Sequence, residues 1–278
     1  MVIEAAFLTA LGWFALAAAW RAMRRRGSEG PPALPGGRVG TWGLHPVDLL
    51  GIGMVFLVYA GFFVLNSTVP DKDPTQRLTP GTLVVAIAVQ FAIAGMVMAF
   101  LAPRVRLGAF FGLTWKGWPW VFLIGPLVLG TMWLLFGGMA ELGYFRWMER
   151  LLGESPVQDV VKVLKVAKNP TVVALMAVTA VIVAPLCEEI VFRGYLYAVA
   201  KRFGGRWTAA CCSALLFSAA HGSLAALLPL FLFGLLLVVV YERTGSLWAP
   251  IAGHFFFNAA TVVVQLGARL FHLPLAPP

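Results

Sequence analysis

Apolar stretches close to twenty residues long recur along this chain, and that one feature leaves it few folds to choose from. Segments of that length and character suit α-helices crossing a lipid bilayer, since a spanning barrel strand needs only about 9–11 residues. Hydropathy places about eight such spans, at 2–20, 47–66, 82–102, 119–140, 171–200, 207–221, 224–241 and 246–267. Composition points the same way: 60% of the 278 residues are hydrophobic and 12% charged, too apolar a balance for a single soluble core. The expected fold class is all-α, a polytopic integral membrane protein with about eight transmembrane helices.

Charge gives this bundle an expected orientation. The first span has Glu4 rather than basic residues ahead of it and is followed by "RAMRRR", so it reads as an anchor, not a cleaved leader, with its N-terminus outside. Alternating spans then put Arg21 to Arg38, Arg104 to Lys116, Lys201 to Arg206 and Arg243 in the cytosol. The count is twelve basic residues inside against eight outside, with Arg193 left within the membrane. Both termini face outward on this reading. The net charge of +9 is accounted for by cytosolic loops against anionic lipid, and without interleaved basic and aromatic surface no nucleic-acid partner is expected.

Two linkers divide the chain. "GSEGPPALPGG", residues 27–37, is a Gly- and Pro-rich connector, so residues 1–46 read as an anchor plus basic linker. Residues 47–169 hold spans two to four and an outer segment in which Ser155, Pro156 and Gln158 make a helix start. Val157, Val160, Val161 and Leu164 give that helix an apolar face, and Lys162, Lys165 and Lys168 suit headgroups. Residues 170–267 form the core of interest and 268–278 a tail. Cys187, Cys211 and Cys212 all fall within spans and form no CxxC pair, so neither a disulfide framework nor a zinc ribbon is indicated.

The core carries ionisable and polar groups where lipid makes them costly, a default sign of function. Glu188 and Glu189 lie roughly 18–20 Å below Lys201, His221 roughly 22 Å above Arg206, and His254 and Asn258 roughly 12 and 18 Å from Ser246, at about 1.5 Å rise per residue. Three helices thus bring polar side chains to similar middle depths, which implies a polar intramembrane cavity. Glu189 and Arg193 are four apart with the acid first, the favourable order for an ion pair. Glu188 points about 100° away and has Phe192, not a cation, at the corresponding position. His254 and Asn258 share a face, as do Phe217 and His221. A lone histidine in an apolar helix is ordinarily a packing residue; two of them with an asparagine and an unpaired glutamate at one depth point to a site.

These residues also carry a resemblance. "EEIVFRG" matches an EExxxR motif, "FSAAH" an FxxxH motif and "HFFFN" an HxxxN motif, in the order found in the CAAX protease and bacteriocin-processing family of intramembrane endopeptidases, also called Abi. The likeness spans about residues 170–267 and is similar to the type II CAAX prenyl endopeptidases. It implies a glutamate-dependent peptidase of the prokaryotic plasma membrane, acting on a hydrophobic, membrane-associated or lipidated peptide by water-mediated hydrolysis. Carried over by position, Glu188 is the expected general base, His221 orients the water, and His254 and Asn258 donate to the oxyanion. Glu189 and Arg193 brace the helix and Phe217 packs beside His221.

Other chemistries fit less well. Gly222 follows His221 and Phe255 follows His254, so there is no HExxH; no GxSG occurs; and Asp48, Asp71, Asp73 and Asp159 all lie outside the last four spans. The expected mechanism requires no cofactor, although Glu188, His221 and His254 are the residues that would hold a divalent metal such as zinc if one binds. A transporter with helices broken at Pro185, Pro229 and Pro250, and a catalytically silent immunity or binding protein, are the alternative readings.

Overall fold

The computed structural model describes residues 8–10, 12–19, 36–68, 78–152, 164 and 167–271. Every regular element among them is helical. In chain order the larger helices are α1 (Asp48–Thr68), α2 (Pro80–Leu101), α3 (Val121–Glu141), α4 (Tyr144–Leu152), α5 (Pro170–Gly204), α6 (Arg206–Ala220), α7 (Leu227–Thr244) and α8 (Trp248–Leu270). Among the described residues, five helical stretches are long and apolar enough to cross a membrane: α2, α3 with its leading turn from Trp118, α5, α7 and α8. Apolar runs at Leu8–Ala19 and Asp48–Gly61 are shorter. The outer surface helix expected from Ser155 lies outside the described residues, apart from buried Leu164 and the stretch from Ala167 onward.

Local signals set the helix starts. At α2, Pro80 occupies the first turn, and Thr79 and Thr82 cap each other reciprocally, with Thr82 N donating to Thr79 Oγ1 at 3.2 Å and Thr79 N to Thr82 Oγ1 at 2.9 Å. Asn169 caps α5 by accepting from Thr171 N at 2.9 Å, again with a proline, Pro170, at the first position. These caps matter because a helix's first amides have no partner within the helix.

The long helices expose apolar side chains, and charged groups are exposed at helix ends and in loops, but among the described residues four charges are buried. Leu134 of α3, Leu142 just beyond its end, and Trp147 and Leu151 of α4 are exposed, whereas Asp48, Glu189, Arg193 and Lys201 are buried. Each buried charge has partners. Arg104 grips Asp48 with two bonds of 2.6 and 2.7 Å, Asp48 also accepts His45 N at 2.7 Å, and Tyr195 Oη donates to the Asp48 carbonyl at 3.0 Å. The first of those bonds raises the Arg104 guanidinium above its ordinary pKa. That node ties the start of α1 to the end of α2 and to α5. A second node joins Lys201 Nζ to Glu242 Oε1 at 2.5 Å and to the Val39 carbonyl at 2.9 Å, with Tyr197 Oη donating to the same glutamate oxygen at 2.6 Å. It fixes the connector before α1 against α5 and α7.

Close helix crossings complete the frame around α5. Gly234 of α7 lies so near α6 that an added Cβ would sit 2.9 Å from Ala214 Cα and Cβ, the small-residue contact that lets two membrane helices approach. At Gly194 of α5 an added Cβ would meet Phe111 Cε1 at 2.8 Å. Helix α8 packs along α3 and also meets α5, bringing its polar residues to the glutamates.

Candidate active site

The site begins with a break in the ordinary winding of α5. Pro185 has no amide hydrogen to give the Val181 carbonyl and crowds that oxygen, so a regular ladder cannot continue there. The helix widens instead into a π-type turn over Thr179–Val183, with Ala184 N donating to the Thr179 carbonyl. A short regular stretch, Ala184–Glu188, follows, and then a second wide segment, Glu189–Tyr197. Such wide turns re-aim side chains and occur often at functional sites. Here the junction falls between the two glutamates.

Glu189 turns into the protein and is completely buried. Its Oε1 accepts from Arg193 Nη1 at 2.7 Å and from His254 Nδ1 at 2.9 Å. Arg193, equally buried, lies over the Phe217 ring at 4.2 Å and reaches the Gly234 carbonyl through Nη2 at 3.4 Å. The acid and base pair at the four-residue spacing read from the sequence, and α8 adds a third member through His254.

Glu188 turns into a cavity. Its Oε2 lies 3.9 Å from His221 Nε2 and 4.0 Å from His254 Nε2, and accepts no hydrogen bond from the described residues. His221, the residue that ends α6, points Nδ1 at the Phe217 carbonyl one turn back, 2.8 Å away. Phe217 also packs edge-on to both imidazoles, with ring centroids 4.8 Å from His221 and 5.7 Å from His254. Carbonyl and carboxylate oxygens only accept, so Nδ1 carries the hydrogen in both histidines. Each therefore presents Nε2 to Glu188. Gaps near 4 Å are too long for a direct bond and suit a bridging water.

Asn258 stands one turn beyond His254 on α8 and donates Nδ2 to the Ala180 carbonyl, inside the first wide turn of α5, at 2.8 Å. Its second amide hydrogen remains available to a ligand. Glu188, His221, His254 and Asn258 all line one cavity of about 260 Å³. Glu189, Arg193 and Phe217 stand behind it as packing and hydrogen-bonding support.

The cavity also has a polar wall that motif reading overlooks. Gln90 of α2 lines it, as do Thr179 and Thr261. Gln90 is the sole polar side chain between Leu83 and Leu101, a signal visible in the sequence without any motif attached. As for metals, donors around a tetrahedral zinc at about 2.0–2.2 Å from the ion lie roughly 3.3 Å apart. Glu188 is farther than that from both imidazole Nε2 atoms, and among the described residues no group of three His, Cys, Asp or Glu is arranged to hold a metal ion.

Comparison with known proteins brings the same segment forward. Residues 170–260 match the family described as Type II CAAX prenyl endopeptidase Rce1-like. The Bacillus subtilis (strain 168) protein named "Putative membrane peptidase YdiL" is 32% identical over 94 residues, 34% of this chain and 38% of its own length. An uncharacterized 24.3 kDa protein of Escherichia coli is 35% identical over 153 residues, 51% of this chain and 64% of its own. The chain thus spans less than two thirds of either relative. No solved structure matches significantly. The matched stretch runs from Pro170, the first residue of α5, past Asn258 and takes in both glutamates and both cavity histidines, so the likeness to the Rce1-like family falls on the segment that builds the site of this polytopic helical membrane protein.

Proposed function

We propose that the chain is an intramembrane endopeptidase that hydrolyses peptide bonds of a hydrophobic, membrane-associated or lipidated substrate with water activated by Glu188. The observation that carries this reading is the convergence of Glu188 Oε2 with two imidazole Nε2 atoms across gaps of one water. A water there would give one hydrogen to Glu188 and the other to His221 Nε2, leaving a lone pair for a peptide carbonyl. Glu188 then takes the proton as the C–O bond forms, and returns it to the leaving amine as the C–N bond breaks.

The developing oxyanion needs donors. Asn258 has one amide hydrogen left, and its other is spent on Ala180, which fixes the side chain's direction. His254 can donate from Nε2 only as an imidazolium, because Nδ1 already bonds Glu189. Glu189 is then the counter-charge for both His254 and Arg193. Support for catalysis over a silent immunity protein lies in the complete quartet around one cavity, and in the relative whose name includes "membrane peptidase". A transporter reading has less support, since Pro229 and Pro250 lie in the first turns of α7 and α8 and leave those helices unbroken, and Pro185 alone of the three falls where the winding changes.

The mechanism uses the chain's own residues and assigns no step to a metal. Purified protein in detergent should cleave peptides found by comparing protein termini in cells with and without this chain, and liposomes containing it should take up no solute. Cleavage that disappears with a chelator and returns with zinc would make Glu188, His221 and His254 metal ligands instead. Absence of cleavage with intact solute uptake would replace the peptidase reading altogether.

A further inference from the structure

Glu188 does not stand at the end of one cavity but in the wall between two. The second cavity, about 410 Å³, is bounded by Tyr59 of α1, by one face of α2 and by Cys187, Glu188 and Val191 of α5. Thr82, Val85 and Ala86 on its rim are exposed, so it opens sideways onto the apolar exterior, where lipid would lie. The two cavities share only two lining residues among those described, Glu188 and Gln90. A chain that entered from the side and reached the quartet would have to pass between them.

Gln90 is equipped for such a passage. Its Oε1 is buried and accepts no hydrogen bond from the described residues. An apolar helix gains nothing from burying an orphan acceptor, which is costly unless something supplies a donor. The missing partner must therefore carry an N–H or O–H. A primary amide carries a carbonyl acceptor and N–H donors, so its Oε1 can accept the N–H of a peptide group.

We propose that Gln90 holds the backbone of the substrate peptide as it runs from the lateral cavity to the catalytic one, with Oε1 accepting a substrate N–H opposite Glu188. This rests on the endopeptidase reading above for the identity of the peptide. The apolar walls of Val85, Val89 and Ile93 take the hydrophobic side chains that precede the held amide, and Gln90 sets which peptide bond stops over Glu188.

The test uses a set of fluorophore–quencher peptides built from Leu, Val, Ala and Ser, together with versions in which one backbone N–H at a time is removed by N-methylation. Gln90→Leu should melt in detergent at the wild-type temperature or above, because Oε1 has no partner among the described residues to lose. Its kcat/KM on the unmodified peptides should fall about 10- to 100-fold. One methylated peptide should cost the wild type a similar factor while costing Gln90→Leu nothing further, the signature of a shared contact in a double-mutant cycle. Equal losses for both proteins at every methylated position would overturn the proposal, as would wild-type kinetics in Gln90→Leu. Binding of the same peptides to Glu188→Gln, with and without Gln90→Leu, separates this idea from the chemistry. If wild type cleaves nothing yet binding depends on Gln90 and on one N–H, the contact stands and the peptidase reading falls. If no peptide binds, both fall.

Discussion

His254 bonds through Nδ1 to the same Glu189 oxygen, Oε1, that receives the Arg193 guanidinium, at 2.9 and 2.7 Å respectively. One carboxylate oxygen therefore locks α5 onto itself and onto α8, while Oε2 is buried without a partner among the described residues. Removing the charge at Glu189 leaves Arg193 buried and uncompensated, a change that costs about 3–5 kcal/mol when one partner of a buried pair is lost. Glu189→Gln and Glu189→Ala should both lower folded yield and thermal stability in detergent. Arg193→Ala should do the same, since it strands the carboxylate. A Glu189→Gln protein as stable as wild type would mean that the pair contributes nothing to folding.

The α8 residues should act at a different level. His254→Ala and Asn258→Ala remove donors that meet negative charge only as it develops, so turnover should fall more than substrate binding, by about 100- to 1,000-fold for one such donor. Asn258→Ala also frees the Ala180 carbonyl within the wide turn of α5, so a modest loss of stability should accompany it. A raised Michaelis constant with unchanged turnover would assign both residues to substrate binding.

Sidedness follows from the distribution of arginine and lysine. The linker after the first span, rich in arginine, is expected in the cytosol and the C-terminus outside. Reporter fusions after Arg26 and at Pro278 should give opposite signals. Matching signals would show that the chain crosses the membrane an odd number of times between the two points less or more than the eight-span reading requires.

Much of the site was legible because membrane depth makes polar residues conspicuous. Glu188, His221, His254 and Asn258 stood out from apolar surroundings, and the Glu189–Arg193 pair followed from a spacing that survives the change of winding in α5. The contact of His254 with Glu189 was not legible. The two are 65 positions apart, and only the packing of α8 on α5 brings them together. Nor does a period of 3.6 residues announce the wide turns; Pro185 was the local clue, and its effect depends on where the displaced carbonyls find partners. Gln90 was visible as a polar intruder in α2, but its relation to Glu188 depends on how two helices distant in sequence face one cavity. Apolar length marks helices well and crossings less well: α6, the helix that carries Phe217 and ends at His221, runs for 15 residues, shorter than the stretches that meet the spanning criterion.

The two adjacent glutamates give the sharpest separation. Glu188 Oε2 accepts no hydrogen bond from the described residues, and it faces imidazoles across a water-sized gap. Glu188→Gln keeps the shape, replaces the base by an amide and should leave thermal stability in detergent close to wild type. Cleavage of a reporter peptide should fall to the background of a protein without a general base. Measured beside Glu189→Gln, the pair distinguishes chemistry from scaffolding: one variant folded and inactive, the other poorly folded. The opposite pattern, with Glu188→Gln cleaving normally and Glu189→Gln stable but dead, would move the base to Glu189. In that event the oxygen shared by Arg193 and His254 would be the one that takes the proton from water.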